Sequence, residues 1–108
     1  MNKYHNIKVY RKGVKYDSKK EAKRGFELEL LEKANLISEL ERQKKFELQP
    51  SYQYNGETIR AINYYADFTY KEDGKLIVED TKGFRTKEYL IKKKLLLYKY
   101  DIDFREIT

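Results

Sequence analysis

The chain has 108 residues, with 24 Lys and Arg against 18 Asp and Glu, a formal net charge of +6. That length suits a single domain, residues 1–108, with one modest core. It has no cysteine, which excludes disulfides and thiolate metal sites, and one histidine, His5, so a Ser-His-Asp system would depend on a residue beside the N-terminus. No apolar run is long enough to span a membrane and no secretory segment opens the chain, so a soluble, cytosolic protein with no membrane partner is expected. The basic surplus favours a polyanionic partner, most commonly nucleic acid. Eleven tyrosines could stack on bases, although most suit the core rim and the sheet faces.

Residues 1–16 alternate around Arg11-Lys12-Gly13 and predict a short β-hairpin. Its Lys8, Arg11 and Lys12 suit either phosphate contact or the guarding of an exposed edge. Ser18-Lys19-Lys20-Glu21 is a capping box that starts a helix ending near Ala34-Asn35. Ala22, Phe26, Leu30 and Ala34 form its expected apolar stripe, widened by Leu31. Ile37 to Gln43 reads as a strand or as an extended lead-in to one. Lys45 to Tyr54 alternates as a strand, with Pro50 marking a bulge or an edge. Asn55-Gly56 is a tight-turn signal feeding a long strand from Thr58 to Tyr70. Thr86 caps a second helix over Lys87–Tyr98, with Leu90, Leu96 and Leu97 expected in the core and Lys87, Lys92 and Lys94 as candidate phosphate contacts. Asp103–Ile107 alternates as a last strand.

The stretch from Asn63 to Gly83 carries the chemistry. Asp73-Gly74 suits a type I′ turn, which needs positive φ at both central residues. That turn sets Glu72 opposite Lys75 and, further along, Asp67 opposite Asp80 on one face. Opposed Cβ atoms lie roughly 4.5–5.5 Å apart. Lys82 follows on that face about 6.6 Å further on. A three-residue loop would instead bring Glu79 opposite Asp67. Like charges directly opposed destabilise a sheet. They therefore need exposure to water, a shared proton or a cation. Two converging carboxylates suit Mg²⁺, and a neighbouring lysine suits a nucleophilic water or developing negative charge. The competing reading is a pair of solvated aspartates near a strand end, screened by Lys82. Glu21 has a structural role as a capping residue and could also lean over the sheet as a third acid.

The order helix, three-stranded antiparallel meander, helix, strand, after an N-terminal hairpin, resembles the PD-(D/E)XK nuclease superfamily. The residues that carry this are Asp67 in Ala66-Asp67-Phe68, Asp80-Thr81-Lys82, and Glu21 in the first helix. Ala66 stands where the superfamily motif has proline, and Glu79 beside Asp80 leaves the ligand choice between them open. The chain also resembles, more closely, a family of small phage proteins of unknown function. The shared landmarks are Ser18-Lys19-Lys20-Glu21-Ala22, Phe46-Glu47-Leu48-Gln49-Pro50, Tyr64-Tyr65-Ala66-Asp67-Phe68 and Glu79-Asp80-Thr81-Lys82-Gly83.

The resemblance implies an α/β (α+β) restriction-endonuclease-like core and a Mg²⁺-dependent DNA endonuclease, with Mn²⁺ able to substitute, in the cytoplasm of a bacterial host. It implies Asp67 and Asp80 as metal ligands with the Thr81 carbonyl as a further one. Lys82 would orient the water or stabilise the transition state, and Glu21 would place a second metal or a water. A resolvase that cuts branched DNA twice should be a homodimer, whereas a monomer favours nicking. The alternatives are a nucleic-acid binder without catalysis and a small phage adaptor for a protein partner.

Overall fold

In a computed structural model, residues 9–11, 14–16, 18–81 and 85–107 are described. Lys8, Lys12 and Lys82, with His5 and Gly83, lie outside the described residues. The fold is α+β, with two helices, a mixed four-stranded sheet and two short hairpins. Among the described residues no helix is long and apolar enough to cross a membrane.

The first hairpin pairs β1 (Val9–Arg11) with β2 (Val14–Tyr16) in antiparallel register, as the alternation predicts. Helix α1 (Lys19–Lys33) starts at Ser18, whose Oγ accepts the Glu21 N–H at 3.1 Å. It ends through Ala34, and Asn35 follows with φ 62°, the left-handed conformation that asparagine tolerates after a helix. The buried face is rotated from the predicted stripe. Glu21, Ala22, Gly25 and Leu28 are buried, while Leu30 is exposed.

Strand β3 (Ser38–Gln49) takes in most of the ambiguous Ile37–Gln43 segment and stops at Pro50, which cannot donate to a ladder. The predicted strand through Tyr54 is therefore broken. Strands β4 (Tyr52–Tyr54) and β5 (Glu57–Ile59) pair only with each other, around Asn55-Gly56. The predicted long strand likewise divides at Arg60-Ala61, and its second part is β6 (Ile62–Glu72). It turns at Asp73-Gly74 into β7 (Lys75–Thr81), with Glu72 facing Lys75 and Phe68 facing Glu79 as the turn requires. Both tight turns carry positive φ at both central residues: 50° and 77° at Asn55-Gly56, 51° and 78° at Asp73-Gly74.

Helix α2 (Lys87–Lys99), capped by Thr86, leads to β8 (Asp103–Ile107), which adds to β7 in parallel. The sheet order is β3-β6-β7-β8. Each face is covered by one helix. Ala22, Leu28 and Leu31 of α1 pack with Ile37, Leu40, Phe68, Tyr70 and Ile77. Tyr89 and Leu96 of α2 pack with Phe46, Tyr64, Ala66, Val78 and Phe104. The expected core residues Leu90 and Leu97 are exposed instead, because α2 lies on its sheet face through the Tyr89–Leu96 line.

Candidate functional site

The two halves of the core expose an irregularity that periodicity alone does not reveal. Tyr64 and Ala66 face α2, yet Phe68 and Tyr70 of the same strand face α1. Leu40 faces α1, while Phe46 and Leu48 face α2. A strand that alternates strictly keeps even-numbered residues on one face. Strand β6 therefore changes face between Ala66 and Phe68, and β3 between Leu40 and Phe46, a span that includes the unpaired rung between Arg42↔Phe68 and Lys44↔Ala66. The residues on that rung are Gln43, with φ 50°, and Asp67. The register is the same on either side of this rung, so the faces change without an inserted residue; the register shifts of β3 lie at Ser38/Glu41 and Glu47/Gln49.

Asp67 sits where the β6–β7 ladder also stops. The last paired rung is Phe68↔Glu79. Beyond it, side chains replace the backbone ladder. The Asp67 N–H donates to Asp80 Oδ1 at 2.8 Å. The Thr81 N–H and hydroxyl both donate to Asp67 Oδ2, each at 2.8 Å. Gln43 Nε2 approaches Asp67 Oδ1 at 3.5 Å. The two aspartates thus meet as the hairpin register predicts, although each is held by the other strand's backbone rather than set carboxylate to carboxylate. Asp67 is 8% exposed and Asp80 fully buried.

Glu79 has a different environment. Its carboxylate, also fully buried, accepts a two-pronged contact from Arg24 of α1, from Nε at 2.8 Å and Nη2 at 2.7 Å. The Tyr70 hydroxyl donates to the same carboxylate, and Arg105 reaches that hydroxyl at 3.4 Å. Burial, with the hydrogen bond to Glu79, pushes the Tyr70 hydroxyl up to about 12. Glu79 is thus committed to a structural network under α1, and of the two neighbouring acids Asp80 is the one beside Asp67.

Next to Asp80, across the parallel β7–β8 pair, lies Glu106. It accepts the Tyr89 hydroxyl at 2.6 Å and Arg85 Nε at 2.6 Å, with Lys93 at 3.7 Å. The hydrogen bond from Tyr89, followed by Arg85, holds the Glu106 carboxyl below its usual range despite the opposing effect of burial. Burial, then the Glu106 contact, and then the charge of Asp80 hold the Tyr89 hydroxyl well above its usual range. Asp80 is therefore electrically contiguous with this cluster.

The remaining predicted residues are dispersed. Glu21 is buried at the start of α1, 3.7 Å from Arg42, the residue before the Gln43 break. Among the described residues no three Asp, Glu, His or Cys side chains are close enough to hold a metal ion together. Arg11 lies in β1. Lys87 and Lys94 are exposed on α2, and Lys92 pairs with Glu88 at 3.1 Å. Sequence reasoning missed Gln43, Arg24 and the Arg85–Tyr89–Glu106 group. The parallel placement of β8 that brings Glu106 to Asp80 has no local signal.

The donor set is two adjacent carboxylates, hard oxygen ligands of the kind Mg²⁺ takes, and Mg²⁺ is commonly held by one or two carboxylates with water and phosphate completing its shell. The ligand chemistry of the pair suits that cation, while Asp67 Oδ1, Asp67 Oδ2 and Asp80 Oδ1 each already accept a hydrogen bond from the chain. A search of curated proteins finds no match to the chain. A family model described as a protein of unknown function (DUF1064) matches residues 1–107, and the chain belongs to that family.

Proposed function

We propose that this protein is a Mg²⁺-dependent DNA endonuclease built on a restriction-endonuclease-like core. The observation that carries the reading is the meeting of Asp67 and Asp80 at the end of the β6–β7 ladder, where the Asp67 N–H donates to Asp80 Oδ1 beside the face change at Gln43. Strand pairing alone does not call for two buried aspartates there, and like charges opposed on a sheet destabilise it unless water, a shared proton or a cation offsets them. The element order supports the same core, with an antiparallel β3-β6-β7 meander, a helix on each face and β8 added in parallel.

When bound, the cation supplies Lewis acidity toward the scissile phosphate and lowers the pKa of a coordinated water. The chain's own residues hold the frame. Thr81 pins Asp67 Oδ2 through two hydrogen bonds, and the Asp67 N–H pins Asp80 Oδ1, so both carboxylates are oriented before any ligand arrives. Lys82, next in sequence to Thr81, is assigned the role of orienting the water or stabilising the pentavalent charge. Lys87 and Lys94 contribute attraction for the DNA backbone, and Glu21 steadies Arg42 beside the break.

The test is cleavage of supercoiled plasmid and of a four-way junction in Mg²⁺, Mn²⁺ or EDTA, by wild type and Lys82→Ala. Metal-dependent nicking that is lost in the variant supports the enzyme. Metal-independent binding that falls with salt, with no cleavage of any substrate, replaces it with a non-catalytic binder.

A further inference from the structure

Strand β7 ends at Thr81, and β6 runs on past it. From Ile62 to Ala66, β6 has a ladder partner only in β3 among the described residues. Between this stretch of β6 and the first turns of α2 lies a hollow of about 250 Å³, bordered by Asn63, Tyr64, Tyr65 and Tyr89. It shares Asn63, Tyr65, Glu88 and Lys92 with a groove of about 700 Å³, so the two spaces adjoin. The hollow is close to the aspartate pair. The Tyr89 hydroxyl donates to Glu106, and Glu106 faces Asp80 across the β7–β8 pair. Tyr65 and Asn63 precede Asp67 on β6 by two and four residues, about 7 and 13 Å along the strand.

We infer that this hollow receives one unpaired nucleobase of the DNA strand held at the aspartate pair, an inference that rests on the nuclease reading. Four observations favour a base over other occupants. First, two polar atoms there lack partners. The Tyr64 hydroxyl and Asn63 Oδ1 are buried and make no hydrogen bond, although Tyr64 is only 4% exposed. Buried polar groups are almost always paired, and a base edge carries the donor and the acceptor these two need. Second, the hollow is uncharged. Glu88 and Lys92, its only charged residues, pair with each other at 3.1 Å. A neutral heterocycle suits it better than a free anion. Third, Tyr65 borders both spaces and is 55% exposed, so its ring offers a face on which a base can stack. Fourth, the size fits one flat group. Pockets for whole small molecules run from about 300 to 1,000 Å³, so the hollow takes a ring while the groove beside it takes the attached sugar. At roughly 3.4 Å per nucleotide of a stacked strand, the base lies about two to four nucleotides from the aspartates. A nuclease so equipped prefers DNA with unpaired bases near the cut, because a paired base must first leave its stack.

The test is binding in EDTA, where no cleavage interferes, followed by fluorescence anisotropy. The probes are a labelled oligothymidylate and an abasic strand of the same length, which keeps the sugar–phosphate charges and lacks the bases. Wild type should bind the oligothymidylate about 5- to 150-fold more tightly than the abasic strand. Tyr65→Ala should lose most of that gain and bind the abasic strand as wild type does, whereas Tyr65→Phe should keep the gain. Tyr54→Ala, which removes an equally exposed ring from the β4–β5 hairpin, should keep it as well. Tyr64→Phe removes the unpaired hydroxyl and retains the packed ring, so its melting temperature should hold or rise while its affinity for oligothymidylate falls about 2- to 10-fold. Circular dichroism checks that each variant folds. Equal affinity of wild type for the two strands overturns the base site and leaves the nuclease reading standing. Loss of the gain in Tyr54→Ala rather than Tyr65→Ala overturns the placement in this hollow. A lowered melting temperature of Tyr64→Phe with affinity intact overturns the role of its hydroxyl. Base-dependent binding without cleavage of any substrate retires the nuclease reading alone, and no binding of either strand retires both.

Discussion

Replacing Arg24 with methionine keeps the aliphatic stem of the side chain and removes the guanidinium. Glu79 is fully buried, whereas the Arg24 side chain is about a quarter exposed. The carboxylate is therefore the partner that cannot find water. The variant loses two charge-assisted hydrogen bonds of 2.8 and 2.7 Å and leaves Glu79 with the Tyr70 hydroxyl. Breaking a buried ion pair from one side costs about 3–5 kcal/mol. For a domain of this size each kcal/mol lowers the melting temperature by roughly 4–8 °C, so a fall of about 12 °C or more is expected. Thermal unfolding at pH 7, followed by circular dichroism, measures it. Adding Glu79→Gln removes the stranded charge while keeping an acceptor for Tyr70, and should restore at least half of the loss. A loss below about 1 kcal/mol in Arg24→Met, or no recovery in the double variant, would refute the assignment of Glu79 to a structural network.

Further outcomes follow from the same geometry. Tyr70 titrates at about 12 in the folded protein against about 10 unfolded. Its raised pKa contributes stability that is complete below pH 10 and is lost as pH climbs through 12, about 3 kcal/mol in all; urea titrations between pH 9 and 12 should show the decline, and Tyr70→Phe should flatten it. Glu106 behaves with the opposite sign, because its carboxyl is held below the usual range. Its contribution is present above the ordinary glutamate pKa and disappears as pH falls through the lower folded value, so Glu106→Gln should weaken the acid dependence of stability. At the Asp73-Gly74 turn, Gly74 has φ 78°, and a Cβ added there would meet open space. Gly74→Ala should cost about 1–2 kcal/mol through backbone strain alone, measured as a lowered midpoint in urea with an unchanged slope.

Much of the fold could be read from local chemistry. Ser18, Thr86 and the two Asx-Gly turns each fix a boundary through a single hydrogen bond or a positive φ, and these predictions coincide with the observed starts of α1 and α2 and with the hairpin turns. The failures are all tertiary. Leu30, Leu90 and Leu97 have the right spacing for a core, but which apolar stripe a helix buries depends on the sheet it meets. Pro50 suggests a bulge or an edge, yet it ends β3 and releases β4 and β5 into a hairpin of their own. At the site, the Asp73-Gly74 register is enough to bring Asp67 to Asp80. The face change at Gln43 is not legible, because glutamine rarely advertises a left-handed backbone, and β6 changes face opposite it, between Ala66 and Phe68. The choice between Glu79 and Asp80 needs Arg24, which lies fifty-five residues away in sequence.

The most direct test compares the initial rate of Mg²⁺-dependent plasmid nicking in wild type, Asp67→Asn, Asp80→Asn and Glu79→Gln under one set of conditions. Each variant keeps the shape of its side chain, and melting temperatures establish that it is folded. The account predicts that the two aspartate variants lose nicking by at least about 100-fold, in line with the loss of a group that acts in the transition state. Glu79→Gln should retain it wherever it is folded at the assay temperature, even with a lowered melting temperature. Loss of nicking in Glu79→Gln with retention in Asp80→Asn would contradict the assignment of the site.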